Sequence, residues 1–275
     1  MLNKVTTVIT SDKAVANNDS RLSICLAANG FSFSVVAGES EIVTFGEVEF
    51  DFSLPLTDQA QSIKEIFNSL GISTFGFRQA FLIVPTDCYV WIPEHLHDTI
   101  RDRQYLRMVC TPDISLGVYH IAVPYLQSMI VFSAPTTVVT SFKLAFPGID
   151  VHCQHSILAS RTILRRSAQR PVILMHVRER VGDFEVFFNG RLLLSNSFVT
   201  QNENELLYHA IELMKQFHLE TPDMELAICG KVDRKIFAML QHYFPNVVLY
   251  TGSPLTYTDP QFQSFPTYKH VLLFP

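Results

Sequence analysis

The feature that most constrains this chain is a strand meander that occurs twice. Leu22–Phe50 and Val172–Val199 each read as strand, tight turn, strand, turn and third strand. In the first copy Leu22, Ile24 and Leu26 alternate with Ser23 and Cys25, and Phe31, Phe33 and Val35 alternate with Ser32 and Ser34. Apolar side chains at every second position mark a strand with one buried face. Asn29-Gly30 separates the two runs as a hairpin turn pair, and Gly38 turns the chain again into Glu41–Phe50. In the second copy Phe184, Val186 and Phe188 alternate with Asp183 and Glu185 before Asn189-Gly190. Each meander leads into a helical pattern, so the chain predicts a duplicated α/β domain.

The helices are marked by three- and four-residue apolar spacing. Asp58–Leu70 is capped by Thr57 and stopped by Gly71, and Pro93–Leu106 reads as a further helix. Thr136–Phe146 ends at Pro147-Gly148, Ile149–Cys153 is a strand, and Ser156–Ala168 is a basic helix. In the second half Thr200-Gln201-Asn202-Glu203 forms a capping box ahead of a Leu206, Leu207, Ala210, Ile211, Met214 and Phe217 stripe. Asp233 caps a helix carrying Ile236, Phe237, Leu240 and Phe244. The expected organisation is a loose polar lead-in over residues 1–20, a first lobe over 21–168 with an inserted strand pair at Val118–Tyr125 and Met129–Phe132, and a second lobe over 169–275. The polar Ser167–Arg170 marks the boundary, and Val271–Phe274 reads as a closing strand.

Composition narrows the function classes. The chain is 48% hydrophobic and 17% charged, enough apolar surface for a packed core. Its net charge is −5 and its basic residues are scattered, which leaves no electrostatic footprint for nucleic acid. Arg161, Arg165, Arg166 and Arg170 form the densest group, read as a solvated helix face. The five cysteines lack C-x-x-C spacing and are odd in number, so no disulfide framework is expected. Met1–Lys13 has no apolar signal region, and Gly117–Pro135 is too interrupted to span a bilayer. A reduced, soluble, cytoplasmic protein without direct membrane insertion is the expectation.

Three meandering strands, then helix, strand, helix, strand, in both halves from Leu22 to about Tyr250, resemble the ribonuclease-H-like core. Two copies of that core make the actin, sugar-kinase and heat-shock ATPase fold. The run Thr136–Ser167, with its Pro-Gly and Ile-Asp-Val, followed by the second hairpin, is similar to the actin-like assembly proteins of type IV pili and type II secretion. It is also similar to an uncharacterised bacterial family of actin-like ATPases. The resemblance implies two α/β actin-like lobes, each a mixed sheet, with a nucleotide between them.

The same resemblance tests whether that chemistry survives. Active members carry Asp-x-Gly at both hairpins, the aspartate ordering metal-bound water and the glycine admitting phosphate to backbone amides. At the first hairpin those places fall on Ala27 and Asn29, followed by Gly30; Ser32 and Ser34 offer hydroxyls. At the second they fall on His176 and Arg178, followed by Glu179 and Arg180. Arg178 and Arg180 are either direct phosphate ligands or solvated turn residues. The adenosine-binding Gly-Gly turn retains Gly230 and has Lys231 in place of its second glycine. Asn29, Gly30, His176, Arg178, Arg180, Gly230 and Lys231 are thus the candidate degenerate nucleotide site.

Phosphoryl transfer needs metal, a positioned water and charge stabilisation. Loss of both aspartates argues against hydrolysis and for a scaffold or assembly protein acting on a protein partner, with no cofactor or only weak ATP and Mg²⁺ binding. The alternative is an active ATPase in which Asp183, Glu185 or Glu179 holds Mg²⁺ and Arg178 or Lys231 holds phosphate. A sugar- or acid-kinase relative ranks behind both. No metal site is expected: His152-Cys153-Gln154-His155 does not converge on a strand, and His95 and His97 read as a wet helix start. Tyr257, Phe262, Phe265 and Tyr268 are either an exposed docking surface or a seal over the cleft.

Overall fold

The computed structural model describes residues 3–11, 17–111, 113–164, 170–252, 255–256, 259–263 and 265–274. The chain divides into two compact units: Met1–Ser156 with Ser253–Phe265 and Leu272–Pro275, and Ile157–Gly252 with Pro266–Val271.

The first unit begins with strand β1 (Lys4–Thr10), followed by β2 (Ser20–Ala27), β3 (Gly30–Ala37) and β4 (Glu41–Glu49). Helix α1 (Leu56–Ser69) leads to β5 (Gln79–Val84), β6 (Tyr89–Pro93), α2 (Asp102–Arg107), β7 (Leu116–Val123) and β8 (Ser128–Pro135). Helix α3 (Thr136–Ala145), β9 (Asp150–Cys153) and α4 (Gln154–Leu164) follow. The main sheet has the order β1-β4-β3-β2-β5-β9, antiparallel through the meander and parallel from β2 to β5 to β9.

The second unit contains β10 (Val172–Val177), β11 (Val181–Phe188), β12 (Arg191–Val199), α5 (Glu203–Gln216), β13 (Glu225–Gly230), α6 (Arg234–Tyr243) and β14 (Val247–Leu249). Its sheet runs β12-β11-β10-β13-β14. Apart from the extra β1, both sheets share one order: third, second and first meander strand, then two parallel strands. The repeat read from sequence is therefore a repeat of topology, and each lobe is a mixed sheet of the expected kind.

Phenylalanine builds the first core. Phe67 of α1 meets Phe33 at 4.8 Å and Phe146 at 4.8 Å, and Phe31 meets Phe142 edge-on at 5.3 Å. Phe262, Leu273 and Phe274 join Val36, Ile42 and Phe45 in a second apolar cluster of this unit. The second core joins the Ile173, Met175, Phe184 and Val186 face of its sheet to Leu206, Ala210 and Leu213 of α5 and Leu240 of α6.

Several boundaries differ from the sequence reading. The lead-in contains β1, an antiparallel edge strand on β4; its apolar residues are too few to announce it. The inserted pair is a three-stranded sheet in the order β6-β8-β7, because Tyr89–Pro93 pairs with Ser128–Phe132. The helix read over Pro93–Leu106 is only α2, preceded by two 3₁₀ turns, Glu94–Leu96 and Thr99–Arg101. The cap of α5 sits two residues later than read: Asn202 accepts from the Asn204 N–H, and Glu205 accepts from the Gln201 N–H. Val271–Leu273 is a 3₁₀ turn, not a strand. The division between units falls within α4, and Ser253–Phe265 and Leu272–Pro275 return to the first unit. Arg165, Arg166 and most of the Ser167–Arg170 boundary lie outside the described residues.

The cysteine reading also needs correction. Cys88 and Cys110 are joined by a disulfide, with Cα atoms 5.7 Å apart, while Cys25, Cys153 and Cys229 are free. The pair spans 22 residues and is brought together by the insert, which spacing alone does not reveal. Among the described residues no helix is long and apolar enough to cross a membrane.

Candidate functional site

In open α/β sheets, ligands bind beyond the carboxyl ends of the parallel strands. In the first unit those ends are Ala27, Val84 and Cys153; in the second they include Val177 and Gly230. The candidate residues stand at these ends, so their local duties decide what each edge can do.

At the first edge the β2–β3 turn is Ala28-Asn29, one residue earlier than the Asn-Gly pair suggests, because Ala27 pairs with Gly30. Asn29 is exposed and its carbonyl accepts from the Phe50 N–H at 3.0 Å. Gly30 is buried in β3, where a Cβ would overlap the Val48 carbonyl oxygen and come within 2.9 Å of the Phe50 nitrogen. Close approach of β4 therefore accounts for this glycine. The Ser34 hydroxyl donates to the Leu273 carbonyl at 2.7 Å. Buried Gln154 clamps the loop after β5, accepting from the Thr86 N–H at 2.9 Å and donating to the Thr86 carbonyl at 2.7 Å.

The second edge is organised by an aspartate. Asp183 stands on β11 opposite His176 of β10 and opposite Ser197 of β12. Its fully buried carboxylate accepts two bonds from the Arg178 guanidinium, at 2.9 and 2.8 Å, one from Ser197 at 2.7 Å, and pairs with His176 Nδ1 at 2.9 Å. The fork of arginine matches a carboxylate in just this two-bonded way. The loop after β10 closes with the Arg178 N–H on the Val181 carbonyl at 2.8 Å. Arg180 is exposed. Gly230 has a positive φ of 84°, and a Cβ there would overlap the Val177 carbonyl oxygen. The exposed ammonium of Lys231 donates to Glu179 at 2.6 Å.

Two residues on, Glu185 is also fully buried. Burial, and then the charge of Asp183, push its carboxyl well above the usual range. Cys229 stands in register with His176 across β13 and β10, and its thiol is pushed up by burial and then by Asp183 and Glu185. His176, Arg178 and Asp183 thus form one network, Glu179 and Lys231 a second, while Asn29 and Gly30 belong to the other unit. Alternation assigns Asp183 to a polar strand face, yet that face is buried.

Phe262 is 0% exposed and Phe265 stacks edge-on against Phe45 at 4.7 Å, so these aromatics are not an exposed docking surface. Tyr268 packs on the second core, and Tyr257 lies outside the described residues. A cavity of about 130 Å³ lies at the amino ends of β5 and β9, against Gln79, Ala80 and Asp150. Within this sheet, that is the opposite end from Asn29 and Gly30.

The family model for a protein of unknown function designated DUF3822 matches residues 11–247. The chain belongs to the DUF3822 family. No curated protein matches it. Among solved structures, this DUF3822 protein is similar to a Bacteroides thetaiotaomicron protein with an actin-like ATPase fold and unknown function, at 21% identity and a TM-score of 0.71 over 85% of this chain and 91% of that one. It is similar to a chain of the PilM–PilN type IV pilus biogenesis complex, at 10% identity and a TM-score of 0.61 over 92% and 95%. It also matches the ethanolamine utilization protein EutJ from Carboxydothermus hydrogenoformans, at 9% identity and a TM-score of 0.50 over 93% and 90%. At these identities the likeness concerns the fold. The DUF3822 chain has the actin-like ATPase fold, and the strand order shared by its two main sheets agrees with it.

Proposed function

We propose that this DUF3822 protein is an actin-like fold whose phosphate-binding motifs have been turned to structural use, and that it acts as a cytoplasmic assembly scaffold for a protein partner. The observation that carries this reading is the two-bonded Arg178–Asp183 pair. The best-placed cation at the second hairpin is spent on a buried carboxylate, and Lys231 is engaged by Glu179. Ala27 offers no metal ligand at the first hairpin. Gly30 and Gly230 have packing reasons that need no phosphate.

The active-ATPase alternative asks Asp183 or Glu185 to hold Mg²⁺. Asp183 already carries the guanidinium, and Glu185 is held toward its neutral form, which binds hard cations poorly. For the partner, the stretch Leu96–Ile114 exposes Leu96, Ile100, Met108, Val109 and Ile114, with Ile100 at 91% and Ile114 at 92%. Exposed apolar side chains gathered in one stretch of chain are a reason to place an interaction face there. The pilus complex among the structural relatives is consistent with a fold used for assembly. In the cytoplasm the Cys88 and Cys110 thiols would be kept largely reduced. The test is phosphate release from ATP with Mg²⁺ by the full chain. The reading expects no turnover above the buffer blank; turnover lost in Arg178→Ala would replace it with the ATPase.

A further inference from the structure

The insert brings together His97, Asp102 and His120 from three separate elements: the end of a 3₁₀ turn, the start of α2 and the middle of β7. His97 Nε2 lies 2.8 Å from one oxygen of the Asp102 carboxylate, and His120 Nδ1 lies 2.6 Å from the other. The imidazole centroids are 5.1 Å apart, and one ligand atom from each residue falls within 4.8 Å of the others. We propose that these three side chains form a binding site for a divalent transition metal ion, Zn²⁺ by preference.

The donor set is the argument. Two imidazoles and one carboxylate suit Zn²⁺ and its neighbours and do not suit Ca²⁺ or Mg²⁺, which take oxygen ligands. Ligand atoms around a tetrahedral zinc stand roughly 3.3 Å apart, given bond lengths of about 2 Å. The observed N–O separations of 2.8 and 2.6 Å need only a small opening to reach that spacing, and all the ligand atoms already lie within 4.8 Å of one another. Asp102 is buried, with its side chain 12% exposed, so its charge requires partners. One imidazole would meet that need; two, 23 residues apart in sequence, converge on it from different elements.

The frame around the site is also set. The Tyr105 hydroxyl accepts from the Asp98 N–H and donates to the Leu96 carbonyl, bracing both sides of His97. The Arg103 guanidinium donates to the Leu116 carbonyl at 3.1 Å and ties α2 to β7. His120, the outermost ligand with its side chain 38% exposed, leaves a fourth place for water or a partner's side chain. From sequence His97 reads as part of a solvated helix start, and the fold instead turns it onto Asp102. The third ligand, on a strand beyond α2, carried no motif spacing to correct it.

The experiment is titration of the full chain, stripped with chelator, with Co²⁺ read by visible absorption and then displaced by Zn²⁺. The expected result is one equivalent of ion giving ligand-field bands of tetrahedral intensity. His120→Ala and His97→Ala each weaken binding at least tenfold, while the exposed His95→Ala leaves it unchanged. Absence of the bands in the unmodified protein overturns the proposal without recourse to any variant. Bands that persist unchanged in both ligand variants overturn it equally, because the ion would then be bound elsewhere.

Discussion

Truncating the Arg178–Asp183 pair from both sides should expose how strongly the second unit depends on it. Asp183 is 0% exposed at its side chain, and Arg178 is 21% exposed. Removing one member of a buried ion pair costs about 3–5 kcal/mol, because the other charge is stranded. Arg178 retains some water, and Asp183 retains His176 and Ser197, so each single change should fall toward the lower end. Arg178→Ala and Asp183→Ala are each expected to destabilise by about 3 kcal/mol. The double variant strands no charge of this pair and should recover about 2 kcal/mol relative to the sum of the singles, a coupling typical of residues in direct contact. Urea unfolding read by circular dichroism measures the cycle. Tryptophan emission would not serve, since Trp91 lies on β6 of the other unit. A coupling below about 0.5 kcal/mol, the level expected of independent sites, would refute the reasoning and return Arg178 to the pool of available phosphate ligands.

Burial depresses His152 and His270 to about 4, with Lys269 adding to the effect at His270. Between about pH 6.5 and 4 the unfolded chain binds protons that the folded one refuses, so stability falls as pH falls through that window, by roughly 3 kcal/mol per histidine; a flat melting temperature from pH 7 to 4.5 would contradict this. Glu185 acts in the opposite sense, since its carboxyl is raised by burial and by Asp183. The folded form holds that proton above pH 4.5 while the unfolded form releases it, so stability declines with rising pH, and Glu185→Gln should raise the melting temperature at neutral pH. Gly30→Ala should cost at least about 2 kcal/mol, because the added carbon meets the backbone of β4, which cannot swing aside. A neutral melting curve for Gly30→Ala would show that β4 is not pressed against β3 as described.

Much of the fold was legible because the repeat writes itself in period-two alternation, which survives when loop chemistry changes. Asn189-Gly190 takes positive φ at both residues, 50° and 71°, as such a hairpin pair should. Asp233 caps α6 as read, accepting from the Ile236 N–H at 2.8 Å. What escaped depends on non-local contacts. Asp183 and Glu185 alternate like a solvated face, yet β11 is an inner strand and both side chains are buried. Thr200 resembles a cap, but the helix starts at Glu203, where Asn202 accepts from the Asn204 N–H and Glu205 reaches back to the Gln201 N–H ahead of the helix. The Cys88–Cys110 bond and the His97, Asp102 and His120 cluster arise from the insert, whose ends close across residues distant in sequence. Phe262 and Phe265 sit among polar residues and prolines, and only the fold shows them packed with Phe45.

The decisive measurement is a calorimetric titration of the full chain with ATP in the presence of Mg²⁺. The account predicts no saturable heat up to millimolar nucleotide, with the Arg178→Ala variant indistinguishable from the unmodified protein. A micromolar dissociation constant that disappears in Arg178→Ala would contradict it.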